Sequence, residues 1–345
     1  MPDLEQVAVS RTVESSPHGW SRFAAVYAAL ALLLAWFAVV ENRRYHVSIT
    51  QAAAIYACLL LLSGFYLAAG FAAPRAWLAA RFRSRIGAAS CVVLFLVPYL
   101  IYSAGAADFR TVAFAKLFAL AAFPLALFVF APVRSPERLN WQDVSVLLWL
   151  VAPVLLGWLK GIWNQPVNLD FMVRVFLVGV GTWSFLIFRG VRGSGYEFTL
   201  SVAILRDAAV NFAGFAVLAA PLGFAIRFIG WNPRWRGAGA FAFDYVTIFL
   251  FVAILEEFLF RGLIQNLLEG TLSSRRTAHA CASVLFGLTH MLHPPVPNWR
   301  YVILATLAGW FYGSAYRKHR SIMASAATHA LVDTAWRTWF TLVKL

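Results

Sequence analysis

Long apolar runs separated by short polar connectors set the pattern of this chain. Eleven such runs lie near residues 23–40, 51–73, 86–105, 112–132, 145–160, 170–188, 207–229, 241–268, 277–292, 300–316 and 321–341. Inside a run the apolar residues follow one another without the alternation of a half-buried strand. Most runs approach the roughly 20 residues that a helix needs to cross hydrocarbon. An outer-membrane barrel would show short alternating segments of about ten residues instead. The pattern predicts an all-α fold, a polytopic transmembrane helical bundle of about eleven helices. The runs at 145–160 and 277–292 are short for complete spans.

Composition removes the alternatives. Of 345 residues, 61% are hydrophobic and 13% charged, against about 45–50% and about 25% in soluble domains. Disordered, collagen-like and disulfide-scaffold classes fail on the same numbers. Cys58, Cys91 and Cys281 each sit within an apolar run, with no CxxC and no paired spacing, and read as small buried hydrophobes. The 29 Lys and Arg exceed the 15 Asp and Glu, giving a formal charge of +14. That excess is spread over connectors rather than gathered on one soluble face, which argues against a nucleic-acid partner. Cations concentrate in alternate connectors: Arg75, Arg81, Arg83 and Arg85; Arg134 and Arg138; Arg189, Arg192 and Arg206; Arg275 and Arg276; Arg317, Lys318 and Arg320. The intervening connectors hold fewer, chiefly Arg43, Arg44, Arg227, Arg234 and Arg236. By the positive-inside rule the N-terminus and the richer connectors face the cytoplasm. Residues 1–22 lack a basic n-region and a short h-region with a small-residue cleavage site, so no signal peptide is expected.

The chemistry is confined to one part of the chain. The composition divides it into a cytoplasmic tail (1–22), N-terminal transmembrane helices of unassigned role (23–140), connecting transmembrane helices (141–204) and a chemistry-bearing region (205–341). Up to about residue 140 the runs are mostly Ala, Leu, Phe and Val, with Lys116 the notable charge inside one. From about residue 200, Asp244, Glu256, Glu257, Arg261, His290, His329 and Asp333 enter the runs. Each such group costs about 2.5–3.5 kcal/mol at the centre of a spanning helix, so it marks a function or a satisfied internal network.

Glu256-Glu257-Phe258-Leu259-Phe260-Arg261 is the strongest of these signals. On an α-helix Glu257 and Arg261 form an i,i+4 pair on one face, and Glu256 is rotated away from it. Arg261 can hold Glu257 ionised, leaving Glu256 free to act on a water. Both glutamates tying helices together through Arg261 is the structural alternative. Phe286-Gly287-Leu288-Thr289-His290 stacks an aromatic and an imidazole four residues apart. His329-Ala330-Leu331-Val332-Asp333 pairs an imidazole and a carboxylate, which can orient each other or share a metal. Glu256 lies 14 residues before Gly270, and His290 lies 15 after Arg275. In antiparallel helices both sit roughly 20 Å from one connector, and His329 and Asp333 roughly 14–20 Å from the same side. Polar groups from three helices thus converge at one depth. Gly309-Trp310-Phe311-Tyr312-Gly313 is a GxxxG, read as close helix packing. His18, His46, His279, His293 and His319 fall at helix ends or in connectors and carry no functional expectation.

EExxxR at 256–261, FxxxH at 286–290 and HxxxD at 329–333 stand in this order, with 34 residues between Glu256 and His290 and 39 between His290 and His329. In this they resemble the CPBP family of intramembrane proteases, which includes the type II CAAX-processing prenyl endopeptidases and the bacteriocin-processing and self-immunity (Abi) proteins. The resemblance covers roughly residues 205–341. It implies that Glu256 is the catalytic glutamate, Glu257 and Arg261 its partners, and His290, His329 and Asp333 the other polar positions of the site. The family is named for metalloprotease chemistry. His290, His329 and Asp333 match a catalytic zinc set in ligand type, yet no HExxH fixes two ligands on one helix. The expected partners are membrane lipid and a membrane-associated peptide or protein tail, reached from the cytoplasm or laterally from lipid. A non-catalytic membrane scaffold or self-immunity protein of the same fold is the alternative. A proton-coupled transporter is a third reading, weakened by the lack of paired, broken inverted repeats.

Overall fold

The computed structural model describes residues 17–164 and 166–343. The signal-peptide expectation for the tail falls largely outside these residues. Twelve helices run along them: α1 Pro17–Tyr45, α2 Ile49–Ala69, α3 Ala72–Phe82, α4 Arg85–Ala106, α5 Thr111–Phe130, α6 Trp141–Leu155, α7 Phe171–Phe188, α8 Val202–Ala225, α9 Ala238–Thr271, α10 Arg275–Leu288, α11 Trp299–His319 and α12 Ile322–Trp339. Two three-residue strands, β1 Ile229–Trp231 and β2 Phe340–Leu342, complete the inventory. Seven helices (α1, α2, α4, α5, α7, α8 and α9) are long and apolar enough to cross a membrane. The fold is all-α, as expected, and the chain is a multi-pass integral membrane protein.

The helix absent from the sequence reading is α3. Arg75 and Arg81 break its apolar run, so it reads as a connector. It folds as a short amphipathic helix that buries Ala73, Pro74 and Leu78 and exposes Trp77. The strands are also absent from the hydropathy pattern, because Ile229 closes the run at 207–229 and Phe340-Thr341 close the run at 321–341.

The described residues up to 191, apart from 137–139, form one compact unit of α1–α7. Helices α6 and α7 belong to this unit, and its aromatic core includes Phe65, Phe95 and Trp183. Lys116 Nζ donates to the Trp158 carbonyl at 2.6 Å, which accounts for the charge inside α5. Arg189, counted with the connector cations, is buried. Its Nε and Nη2 donate to the two oxygens of Asp143 at 2.9 and 3.0 Å.

The second unit holds residues 137–139 and those from 192 onward, with α8–α12. Ser201, Ser274, Asn298 and Ser321 start α8, α10, α11 and α12 by accepting backbone N–H bonds, each cap contributing about 1 kcal/mol. At 1.5 Å per residue α9 is about 50 Å long, longer than the ~30 Å hydrocarbon core. Helix α11 packs against α8, α10 and α12, and its GxxxG does what its spacing predicts. A Cβ on Gly309 would lie 3.2 Å from the Ser283 backbone, and one on Gly313 would overlap the His279 ring. Gly287 of α10 makes the reciprocal approach, its Cβ position lying 2.7 Å from the Val302 carbonyl oxygen. Strands β1 and β2 pair antiparallel with Gly230 opposite Thr341. They tie the segment after α8 to the end of α12.

Candidate active site

The two carboxylates of α9 sit on a single α-helical turn, Ile254–Glu257, between π-helical stretches at Phe249–Ala253 and Phe258–Gln265. Widened turns of this kind are frequent at functional sites. The i,i+4 pair survives the widening: Arg261 Nε lies 3.0 Å from Glu257 Oε2, and both side chains are fully buried. Arg261 directs no aligned hydrogen bond. Its charge is met by Glu257 and by the ring faces of Phe286, at 5.4 Å, and Tyr312, at 6.0 Å.

The other oxygen of Glu257 reaches across to α12. His329 Nδ1 lies 2.9 Å from Glu257 Oε1, and His329 Nε2 lies 3.4 Å from Asp333 Oδ2. Glu257 accepts from Nδ1–H, and Nε2 faces Asp333 at ion-pair distance without an aligned hydrogen bond, so His329 sits between two carboxylates. Tyr312 of α11 stacks on its ring at 4.6 Å, with 13° between the planes. Of the two contacts the one to Asp333 is looser, and the Asp333 side chain is 41% exposed.

His290 is placed differently from the expectation of a mid-helix residue. Helix α10 ends at Leu288, and His290 occupies the turn that follows. The Thr289 hydroxyl and His290 Nδ1 both bond back to the Phe286 carbonyl, at 2.7 and 2.9 Å, and the prolines that follow end the element. Because a carbonyl accepts, Nδ1 carries the proton and Nε2 presents its lone pair to the surroundings. The ring packs on Tyr301 at 4.5 Å and on Phe286 at 5.0 Å. Phe286 in turn touches His329, ring centroids 5.9 Å apart, and so joins the FxxxH and HxxxD motifs.

Glu256 is half-buried and makes no hydrogen bond or ion pair with the described residues. It lies within electrostatic range of the Tyr312 hydroxyl, together with Glu257, Asp333 and Tyr301. The six expected residues therefore gather around Tyr312 and Phe286. Glu257, Arg261, His329 and Asp333 are in direct contact, His290 joins through Phe286, and Glu256 stands unpaired at the edge.

The expected zinc set does not form here. Among the described residues no three His, Cys, Asp or Glu side chains are grouped to hold a metal ion. His290 lies apart from the His329–Asp333 pair and joins it only through the Phe286 ring. As arranged, His290, His329 and Asp333 do not fit a zinc ion.

The site is not evenly buried. Toward the connector between α9 and α10, Arg261, Gln265, His279 and Tyr312 are all buried. The exposed groups, Asp333 and the His290 turn, lie at the opposite end of α10 and α12.

Sequence reasoning missed Tyr312 and Tyr301, which read as ordinary aromatic filling. It also missed His293, whose ring lies 5.7 Å from that of His290 and 5.3 Å from that of Tyr301. The aromatic-imidazole spacing of Tyr301, His290 and His293 is invisible without the turn that folds α10 back on α11. His279, read as a helix-end residue, is fully buried. It stacks on Trp310 at 4.4 Å with Nε2 2.9 Å from the Trp310 carbonyl.

Residues 238–335 match the family model described as Type II CAAX prenyl endopeptidase Rce1-like. The matched segment runs from α9 into α12 and contains all six expected site residues, in agreement with the family that the three ordered motifs resemble. No curated protein and no solved structure matches the chain.

Proposed function

We propose, taking the Rce1-like segment as the premise, that this protein is an intramembrane endopeptidase acting on a membrane-associated peptide or protein tail. Glu256 carries the reading: a carboxylate in an apolar helix, without a partner, beside a neighbouring carboxylate that is fully paired. Glu256 takes a proton from a water, and His290 Nε2, an acceptor by its tautomer, helps hold that water. The water oxygen bonds to the scissile carbonyl carbon. The oxygen that becomes negative is met by the His329 imidazolium, whose Nε2–H can turn from the loosely held Asp333. Glu256 then returns the proton to the leaving amine as the C–N bond breaks. Glu257 and Arg261 act as positioning residues, holding His329 through Nδ1. Every step runs on side chains of this chain.

The test compares protein termini in membranes from cells carrying the wild-type chain and cells carrying Glu256→Ala at matched expression. New termini that vanish in the variant support the protease and identify its substrates. Identical termini, with a full wild-type phenotype in the variant, overturn it in favour of a non-catalytic scaffold or immunity role.

A further inference from the structure

Where the β1–β2 ribbon meets the start of α9 and the end of α12, a cavity of about 250 Å³ is lined by Arg234, Trp235, Arg236, Phe241, Asp244 and Arg337. Sites that engulf drug-sized ligands run to about 300–1,000 Å³, so this one suits a headgroup rather than a whole large ligand. Three guanidinium groups face one carboxylate. Asp244 accepts from Arg236 through Oδ2 and lies 3.6 Å from Arg337 through Oδ1, leaving most N–H groups of both arginines unused. The side chain of Arg234 makes no hydrogen bond or ion pair with the described residues, and it is exposed. The lining thus carries an excess of two positive charges, delivered from a loop and from a helix. Convergent arginines of this kind match the several acceptor oxygens of a phosphate.

The surroundings place the cavity at the edge of the bilayer. Trp231 and Trp235 beside it are 63% and 57% exposed. Trp235 lies parallel to Trp339, with 6° between the planes, and Trp231 packs on Phe340. Exposed indoles at the end of a long apolar helix, next to arginines, are the signature of the membrane–water interface. A soluble anion has no use for that apolar wall, whereas an acyl chain does.

We infer that this cavity binds the phosphate of an anionic phospholipid headgroup, with the acyl chains lying along Trp231 and Trp235. Asp244 belongs to α9, and Arg337 is one helical turn beyond Asp333 on α12. Bound lipid would therefore clasp the two helices that carry Glu256, Glu257, His329 and Asp333. The inference stands on the cavity alone and does not depend on the proposed protease activity.

The experiment uses the purified, delipidated full chain in neutral detergent, titrated with short-chain phosphatidylglycerol, phosphatidylcholine and inorganic phosphate, with binding read by native mass spectrometry. Phosphatidylglycerol should bind saturably and more tightly than phosphatidylcholine. Arg234→Gln and Arg337→Gln should each weaken it about fivefold, the weight of one arginine near an anionic surface. Since Arg234 holds no partner, Arg234→Gln should unfold at the wild-type temperature, which separates lost binding from lost fold. Equal binding of the two lipids, or unchanged affinity in both variants, overturns the inference. So does inorganic phosphate binding as tightly as the lipid. Displacement of the lipid by a peptide with a free C-terminal carboxylate, but not by its amide, also overturns it and assigns the cavity to a peptide end.

Discussion

Breaking and then rebuilding the Glu257–Arg261 pair tests the arrangement at its most demanding point. Both side chains are fully buried and 3.0 Å apart, so removing either partner unbalances buried charge, leaving Arg261 with no carboxylate or Glu257 with His329 alone. The cost expected for each of Arg261→Met and Glu257→Leu is about 3–5 kcal/mol. The double variant loses both charges at once and fills the space with apolar side chains, an exchange that is often neutral for a buried pair. It still deprives His329 Nδ1 of its acceptor at 2.9 Å, which costs about 1–3 kcal/mol. Thermal unfolding of the full chain, in one detergent at one protein concentration, reads these differences. For a unit of about 150 residues, 1 kcal/mol moves the midpoint by about 2–4 °C. The single variants should therefore fall by about 6–20 °C and the double by about 2–12 °C. Additive losses in the double variant, or single variants that unfold with the wild type, would refute the buried pair. Activity, by contrast, should be lost in Glu257→Leu and in the double variant, because His329 Nδ1 loses its acceptor in both.

Other perturbations separate chemistry from packing. Glu256→Gln should leave stability within about 0.5 kcal/mol, since the carboxylate holds no partner, and should lower turnover by about 10²–10⁴-fold. A variant that cleaves at the wild-type rate in a reconstituted assay removes Glu256 from the mechanism. Gly287→Ala forces a Cβ to within 2.7 Å of the Val302 carbonyl oxygen. It should destabilise by about 1–3 kcal/mol, while Gly239→Ala, which meets open space, should not, as paired melting curves will show. Because the donor set does not fit zinc, prolonged chelation followed by dialysis should leave cleavage intact. Loss of cleavage that zinc alone restores would contradict that expectation.

The apolar runs, the motif order and the i,i+4 contacts of the site were legible in the sequence because each depends on local helical periodicity. Glu257 meets Arg261, Asp333 meets His329, and Gly309 and Gly313 admit α10, all as spacing requires. What could not be read depends on where helices stop and on which residues meet across them. The back-bonding that ends α10 before His290 leaves no mark in hydropathy. The Glu257–His329 contact joins residues 72 apart, beyond the reach of any helical period. The ion pair of Asp143 and Arg189 escaped for the same reason, since Arg189 follows its apolar run as a connector cation would. Helix α3 was lost because two arginines on a short amphipathic helix look like a loop when the signal sought is a full span.

Partners of the acidic residues isolate one of them. In the helices of the second unit, Asp207 meets Lys318 and His319, Asp244 meets Arg236 and Arg337, and Glu269 meets Arg320. Glu257 meets Arg261 and His329, and Asp333 meets His329. These pairs bridge α8 to α11, α9 to the residue that caps α11 and α9 to α12, which is what ionisable groups in an apolar bundle must do to be tolerated. Among the described residues of these helices, Glu256 alone among the acids has no such partner. A purely structural role would predict the opposite, because an unpaired carboxylate contributes nothing to holding helices together and carries the desolvation cost of its position. Its neighbour Glu257, in the same sequence motif, shows that a paired geometry was within reach one residue away. A carboxylate kept free at that cost is the arrangement a general base requires.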